Sequence, residues 1–208
     1  MSDNPRIPAT HDAGRLRRVC VFCGSNPGRR PEYAGSAREM GRVLLAGGLG
    51  LVYGGGNVGL MGVVADTVLA GGGEVIGVIP EALMAREVGH GALTRLHVVR
   101  TMHERKAMMA DLADAFVALP GGFGTFEEFC EVLTWSQLGF HPKPCGLLNV
   151  AGYYDPLLAL FDRGVEEGFI PEKHRGLVIE ETDPARLLDR FAAFTPPATS
   201  KWIRRDER

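Results

Sequence analysis

The sequence predicts a doubly wound α/β fold, with a mostly parallel sheet covered by helices on both faces. Three observations carry that expectation. Short apolar runs alternate with longer helix-like stretches along the whole chain. Three of these runs end in glycine turns, at Gly24, at Gly54-Gly55-Gly56 and at Gly121-Gly122. The 208 residues show no composition shift or linker, so a single domain is expected over residues 17–194.

The first strand is read at 18–24, where Arg-Val-Cys-Val-Phe-Cys-Gly is apolar on both faces. Gly24, Ser25, Asn26 and Pro27 end it. A helix is expected over 31–46, because Pro31 suits a helix start by its fixed φ and missing N–H. A second strand at 50–53 runs into Gly54-Gly55-Gly56, and a helix at 60–70 is closed by Gly71-Gly72-Gly73. The third strand spans 74–79, with Pro80 as its expected stop. Residues 81–94 carry no clear period and read as irregular. A fourth strand at 96–100 and a helix at 103–114 follow. The fifth strand, 115–119, leads into Pro120-Gly121-Gly122-Phe123-Gly124-Thr125 and a helix at 126–138. Strand 144–149, helix 154–167, strand 177–180 and helix 184–194 complete the alternation. Segments 1–16 and 195–208 are expected to be flexible tails.

Lys and Arg total 23 against 25 Asp and Glu, a formal net charge of −2. That balance argues against binding nucleic acid through bulk positive charge. No apolar run approaches the ~18 residues that suggest a membrane helix. Residues 1–16 hold no apolar stretch of the signal-peptide kind. Four cysteines are too few for a disulfide scaffold in a chain this long. The expected setting is the reducing cytoplasm, with neither nucleic acid nor membrane as partner. The 28 glycines cluster in a few runs, which marks them as turn and ligand-approach positions and not as a flexible tract.

In doubly wound sheets, ligands bind beyond the carboxyl ends of the strands, where strand order reverses. Three loops carry small residues at such ends: Gly24-Ser25-Asn26, Gly54-Gly55-Gly56-Asn57, and the run from Pro120 to Thr125. Glycines let the backbone approach a ligand, and N–H groups at a helix start face an anion. A phosphate-bearing small molecule is therefore expected, with Gly24, Ser25, Gly55 and Gly56 among its contacts. The commoner nucleotide motifs are missing. There is no G-x-x-x-x-G-K-[ST], and the first strand ends in C-G-S-N-P-G instead of G-x-G-x-x-G.

Thr125-Phe126-Glu127-Glu128 admits two roles. It fits a capping box, with Thr125 as N-cap and Glu128 reaching back from the third helical position. It also sets Glu127 or Glu128 at the mouth of the expected site, where a carboxylate could stabilise an oxocarbenium-like centre or activate water. Met102-His103-Glu104-Arg105-Lys106 offers a guanidinium fork and a point charge, suited to phosphate or a departing base. The alternative there is a solvated basic helix start, although cations at that end oppose the helix dipole. Ala107 stands where H-E-x-x-H needs its second histidine, so a zinc-protease site fails. No metal site is expected. Cys20 and Cys23, three apart in a predicted strand, should face opposite ways and neither chelate one metal nor pair. The six histidines are scattered, and Met108, Met109 and Leu112 read as a packing face.

The block from Pro120 to Glu128 reads P-G-G-x-G-T-x-x-E. With Met102-His103-Glu104-Arg105-Lys106 before it, the chain resembles the LOG family, the cytokinin riboside 5′-monophosphate phosphoribohydrolases often mislabelled lysine decarboxylases. Cys23-Gly24-Ser25, Tyr53-Gly54-Gly55-Gly56, Gly59-Leu60-Met61-Gly62 and Thr134-Trp135 extend the likeness over roughly 19–183. The resemblance implies a Rossmann-like fold and a homodimer with the site near its interface. It also implies hydrolysis of the N-glycosidic bond of an adenine-type nucleoside monophosphate, releasing free base and ribose 5-phosphate, with no cofactor. By motif position, Arg105 and Glu128 match the family's catalytic pair. Lys106, Gly121, Gly122, Phe123, Gly124, Thr125, Phe126, Glu127, Thr134 and Glu87 match its substrate-contacting positions. Phe123 replaces the commoner tyrosine. Gly89-His90-Gly91 lies in the segment where relatives contact substrate.

Two other functions compete. A non-catalytic nucleotide or phospholigand carrier would use the same loops, but would need neither Arg105 nor Glu128 in those roles. A lysine decarboxylase would need pyridoxal phosphate on a lysine. The chain offers Lys106, Lys143, Lys173 and Lys201, and nothing marks one as a buried Schiff-base residue.

Overall fold

The computed structural model describes residues 16–84 and 90–196. Among the described residues, seven strands form one sheet: β1 (Arg18–Phe22), β2 (Gly50–Tyr53), β3 (Val75–Pro80), β4 (Arg95–Val99), β5 (Ala115–Ala118), β6 (Cys145–Leu148) and β7 (Val178–Glu181). Their order is β4-β3-β2-β1-β5-β6-β7. Every pairing is parallel, where a mostly parallel sheet was expected. The central strands are buried on both faces, as parallel strands must be when helices cover them.

Among the described residues, eight helices complete the alternation: α1 (Pro31–Ala46), α2 (Gly59–Ala70), α3 (Glu81–Met84), α4 (Met102–Leu112), α5 (Phe123–Gln137), α6 (Asp155–Glu166), α7 (Glu172–Arg175) and α8 (Pro184–Ala192). The period of two sorts β1 between two cores. Val19, Val21 and Cys23 pack with Met40, Leu44, Val64 and Leu187 of α1, α2 and α8. Cys20 and Phe22 pack with Met109, Phe129 and Leu158 of α4, α5 and α6. Cys20 and Cys23 thus lie in opposite cores, as their spacing predicts, and all four cysteines are free. Met109 is buried in the second core with Met108 and Leu112 packed against it, the expected packing face.

The bounds of α1 and β2 coincide with the expected ones. Pro80 is the last paired residue of β3, opposite Val99, and not the residue beyond the strand. The short helices α3 and α7 and a 3-10 turn at Val150–Gly152 were not legible, since one turn carries no period. The tails expected at 1–16 and 195–208 fall almost wholly outside the described residues.

At the amino ends of the strands, Arg18 forks onto Glu74, Nε to Oε2 at 2.7 Å and Nη2 to Oε1 at 3.1 Å. The bridge ties β1 to the start of β3 across Gly50, where a Cβ would lie 2.8 Å from Glu74 Oε2. The hydrogen bond from Arg18 holds the Glu74 carboxyl below the ordinary carboxylate range.

From β1 the chain winds outward through β2 and β3 to β4. It then returns to set β5 on the other edge of β1. The carboxyl ends of β1 and β5 therefore flank the crevice where a ligand is expected. Among the described residues, no helix is long and apolar enough to cross a membrane.

Candidate active site

The three glycine loops meet at that crevice. Gly24 donates its N–H to the Pro120 carbonyl at 3.0 Å and accepts from the N–H of Leu60, also at 3.0 Å. The start of α2 presses against the first loop at Gly59, whose φ is +59°. A Cβ there would sit 2.3 Å from the Ser25 carbonyl carbon, so both conformation and space call for glycine. Gly24, Gly55 and Gly56 are buried in the floor, while Ser25 stands exposed at the rim. His90 closes the second loop from outside, its backbone N–H donating to the Gly55 carbonyl at 3.2 Å. Its ring is held too, Nε2 to Asp66 Oδ1 at 2.8 Å, with Nδ1 accepting from the Ala92 N–H. Glu87, a substrate contact by resemblance, lies outside the described residues.

The start of α5 corrects the capping-box reading. Gly122 is the N-cap, with no side-chain cap, and the helix begins at Phe123 instead of 126. Thr125 is therefore the third helical residue and is buried, its hydroxyl set 2.1 Å from where a Cβ on Gly121 would be. Glu128 stands nearly a turn deeper and faces α4. The same T-x-x-E pattern does cap α4, where Thr101 Oγ1 accepts from the Glu104 N–H at 3.1 Å. Glu104 in turn accepts from the Arg100 N–H at 2.9 Å. The first N–H groups of α5 lack intrahelical acceptors, Gly122 offers no side chain to cap them, and the helix dipole favours an anion there. Phe123 is 90% exposed beside them. Phe126 turns away, its ring 6.4 Å from those of both Tyr153 and Tyr154.

Arg105 corrects a second reading. It lies near the start of α4, but it is only 6% exposed and is no solvated helix start. Its guanidinium occupies the space that a side chain on Gly54 would fill, since a Cβ there would lie 2.1 Å from Nη2. The same Nη2 stands 3.6 Å from Glu128 Oε1, an ionic approach longer than a hydrogen bond. Nη1 meets the sulfur of Met102 at 3.9 Å. Among the described residues, Nε has no partner although it is buried. A buried guanidinium with open donors asks for an anionic or carbonyl acceptor. The pair sits over β1. Burial raises the Cys20 thiol pKa well above its ordinary value; the charge of Glu128 raises it further and that of Arg105 opposes.

Lys106 is held apart from that pair. Its ammonium bridges Glu127 at 2.5 Å and Glu131 at 2.9 Å, linking α4 to α5. Burial lowers its pKa, but hydrogen bonds from the ammonium to Glu127 and Glu131 outweigh burial and leave it above the ordinary lysine value. Thr134 continues the Glu127 and Glu131 stripe at helical spacing. It is exposed, and its hydroxyl donates to the Cys130 carbonyl at 2.7 Å. It lies about 9 Å along the axis beyond Glu128.

Close approaches thus link Gly24 with Gly121, Gly54 with Arg105, Gly121 with Thr125 and Arg105 with Glu128, with Gly122, Phe123 and Gly124 exposed at the start of α5. Gly55 packs against β3 and β4, Lys106 and Glu127 pair with each other, and Phe126 is left to packing. Sequence reasoning missed Glu131, although its spacing of four from Glu127 was a signal. It also missed what Gly54 does for Arg105. Tyr153 and Tyr154 were missed as well: the first donates its hydroxyl to the Gly121 carbonyl and the second to the Leu119 carbonyl, at 2.6 Å for the latter. Among the described residues, no group of three His, Cys, Asp or Glu could hold a metal ion.

A family profile described as "Possible lysine decarboxylase" matches residues 61–191. The chain is 52% identical, over 94% of its length and 88% of the relative's, to the rice (Oryza sativa subsp. japonica) "Probable cytokinin riboside 5′-monophosphate phosphoribohydrolase LOGL1". It is also 52% identical to the rice "Cytokinin riboside 5′-monophosphate phosphoribohydrolase LOG", over 88% of this chain and 75% of that one. To the Arabidopsis thaliana "Cytokinin riboside 5′-monophosphate phosphoribohydrolase LOG7" it is 48% identical, over 88% of this chain and 84% of that one. Among solved structures, the molybdenum cofactor binding protein of Rippkaea orientalis superimposes with a TM-score of 0.66 at 21% identity, covering 86% of this chain and 97% of that one. The molybdenum cofactor carrier protein of Chlamydomonas reinhardtii gives 0.66 at 22%, covering 86% and 100%. At those identities the two structures share the Rossmann-like fold alone. The sequence relatives, near half identical over most of both chains, settle the lineage: this chain belongs to the LOG family of cytokinin riboside 5′-monophosphate phosphoribohydrolases.

Proposed function

We propose that this chain hydrolyses the N-glycosidic bond of adenosine 5′-monophosphates, N6-prenylated ones included, to give the free adenine-type base and ribose 5-phosphate. The observation that carries this reading is the Arg105–Glu128 pair: Arg105 is buried with its Nε unpartnered among the described residues, and the partly buried Glu128 stands 3.6 Å away, at the crevice where the glycine loops converge. In this reading the 5′-phosphate docks on the backbone N–H groups of Gly122, Phe123 and Gly124, at the uncapped start of α5. The bond from the anomeric carbon to the base nitrogen breaks, and its electron pair leaves with the base. Glu128 faces the positive charge that develops on the sugar, and the open donors of Arg105 stabilise the departing base. Water adds its oxygen to the anomeric carbon, and its proton ends on the base.

The decarboxylase description of the family profile finds no fit here. A Schiff-base lysine must lose its proton to react, whereas two carboxylates hold Lys106 as an ammonium. Lys143 donates to the Ala110 carbonyl at 2.6 Å, and Lys173 is exposed on α7. Lys201 lies outside the described residues.

The active species is read as a cytoplasmic homodimer, from the family resemblance and from four unpaired cysteines. Neither nucleic acid nor membrane is a partner in this reading. The test incubates purified protein with AMP and with N6-isopentenyladenosine 5′-monophosphate and quantifies base and ribose 5-phosphate by chromatography. Wild type should release base from at least one, and Glu128→Gln should lose about 10²-fold or more. Binding without release would replace the hydrolase by a carrier.

A further inference from the structure

Two tyrosines that take no part in the chemistry above sit under the phosphate loop, and the chain strains to put them there. Ala151 holds φ +52°, a left-handed conformation unfavourable for alanine, and Gly152 follows at +70°. The buried Asn149 locks the turn. Its Oδ1 accepts from the Tyr154 N–H at 2.8 Å, and its Nδ2 donates to Asp155 Oδ1 at 2.7 Å and Glu180 Oε1 at 2.8 Å. The Tyr153 ring is wedged between Tyr33, 5.7 Å away edge-on, and Phe126, stacked at 6.4 Å. Its hydroxyl donates to the Gly121 carbonyl.

That last bond has a directional consequence. Among the described residues every peptide is trans, and in a trans peptide the C=O and the following N–H point opposite ways. Holding the Gly121 carbonyl toward Tyr153 therefore turns the Gly122 N–H away from it. Gly122 is exposed, and among the described residues no backbone hydrogen bond leaves that N–H for another loop or strand. Between two glycines this peptide would otherwise flip readily. Tyr154 acts differently. It holds the Leu119 carbonyl, and the next residue, Pro120, has no N–H to aim.

We infer that Tyr153 is a positioning residue of the site, fixing the Gly121-Gly122 peptide so that the Gly122 N–H faces the phosphate of the substrate. The inference rests on the reading that phosphate docks at this loop. Tyr154 fixes the stem of the loop without orienting a donor.

The experiment compares wild type, Tyr153→Phe and Tyr154→Phe, using ribose 5-phosphate and phosphate-free adenosine as probes in calorimetric titrations. Circular dichroism melts check folding, and kcat and KM for AMP are measured beside them. Tyr153→Phe should weaken ribose 5-phosphate about tenfold, the order expected for one hydrogen bond to a charged group, and shift adenosine by less than about twofold. Its KM for AMP should rise more than its kcat falls. The downfield shift of the Gly122 amide proton on adding ribose 5-phosphate should shrink in that variant. Tyr154→Phe should lower Tm and change both ligands in the same ratio. Equal losses for both probes in Tyr153→Phe, no loss for either, or no ribose 5-phosphate binding by wild type would each overturn the inference. Selective loss of ribose 5-phosphate in a protein that releases no base would sustain it while the hydrolase reading fails. A hydrolase indifferent to Tyr153→Phe would do the reverse.

Discussion

Gly54→Ala adds one methyl group where the site has no room for it. The new Cβ would lie 2.1 Å from Arg105 Nη2, short of ordinary van der Waals contact at 3.4 Å by about 1.3 Å. The backbone does not object, because Gly54 is not among the glycines of positive φ. The guanidinium has to yield instead. It cannot do so freely, since it is buried and its Cζ stands 3.3 Å from the same Cβ, with the Met61 sulfur at 3.4 Å. A displacement of about 1 Å at a reacting group costs on the order of 10²-fold, or about 2.7 kcal/mol of transition-state stabilisation. The expected outcome is kcat/KM for AMP reduced about 100-fold in a protein that still folds. Base release measured under saturating and limiting substrate, beside a thermal melt, separates the two effects. A Gly54→Ala enzyme within about threefold of wild type would refute the reasoning, because the placement of Arg105 against the second glycine loop would then be immaterial to turnover.

Gly35 is the opposite case: it lies inside α1 with nothing within 4 Å of a built Cβ. Gly35→Ala should stabilise by about 0.5–1 kcal/mol, raising Tm by roughly 1–4 °C; a lower Tm would show that the space is not open. The Arg18–Glu74 bridge predicts a pH-dependent stability. The folded Glu74 carboxyl is held below its ordinary pKa, so its contribution is present above that ordinary value and disappears as pH falls through the lowered one. Both side chains are about a third exposed, which limits the contribution to about 1 kcal/mol or less. Urea midpoints of wild type and Glu74→Gln should differ near pH 7 and converge as pH falls through the lowered Glu74 pKa, and curves that stay parallel would count against the bridge.

The alternation of elements was legible because each buried strand is a short apolar run, and because Pro31 and the glycine turns mark helix ends. The start of α5 was not. Thr125 has the chemistry of an N-cap, but Gly122 makes the turn with no side chain, and the helix begins early enough to bury Thr125 under Gly121. The burial of Arg105 was equally hidden from local sequence, since it depends on a missing side chain at Gly54 from a different strand end. The ion pairs of Lys106 join two helices that no spacing brings together. What made the family recognisable nonetheless was the conjunction of two dense motifs, each of which alone also fits a packing or capping role.

The position of β1 between β2 and β5 sets an order on synthesis. One edge of β1 pairs with β2 soon after both leave the ribosome; the other waits until β2, α2, β3, β4 and α4 have all emerged. Through that interval Val19, Cys20, Val21 and Phe22 present an unpaired apolar edge, the kind of surface that seeds wrong pairing in a nascent chain. Asp114 arrives just ahead of β5, and its carboxylate takes the N–H groups of Arg17 and Arg18, at 2.8 and 3.0 Å, at the mouth of that edge. A chain halted before Asp114 therefore holds all four strands from β1 to β4 and leaves the edge of β1 that β5 will cover still open.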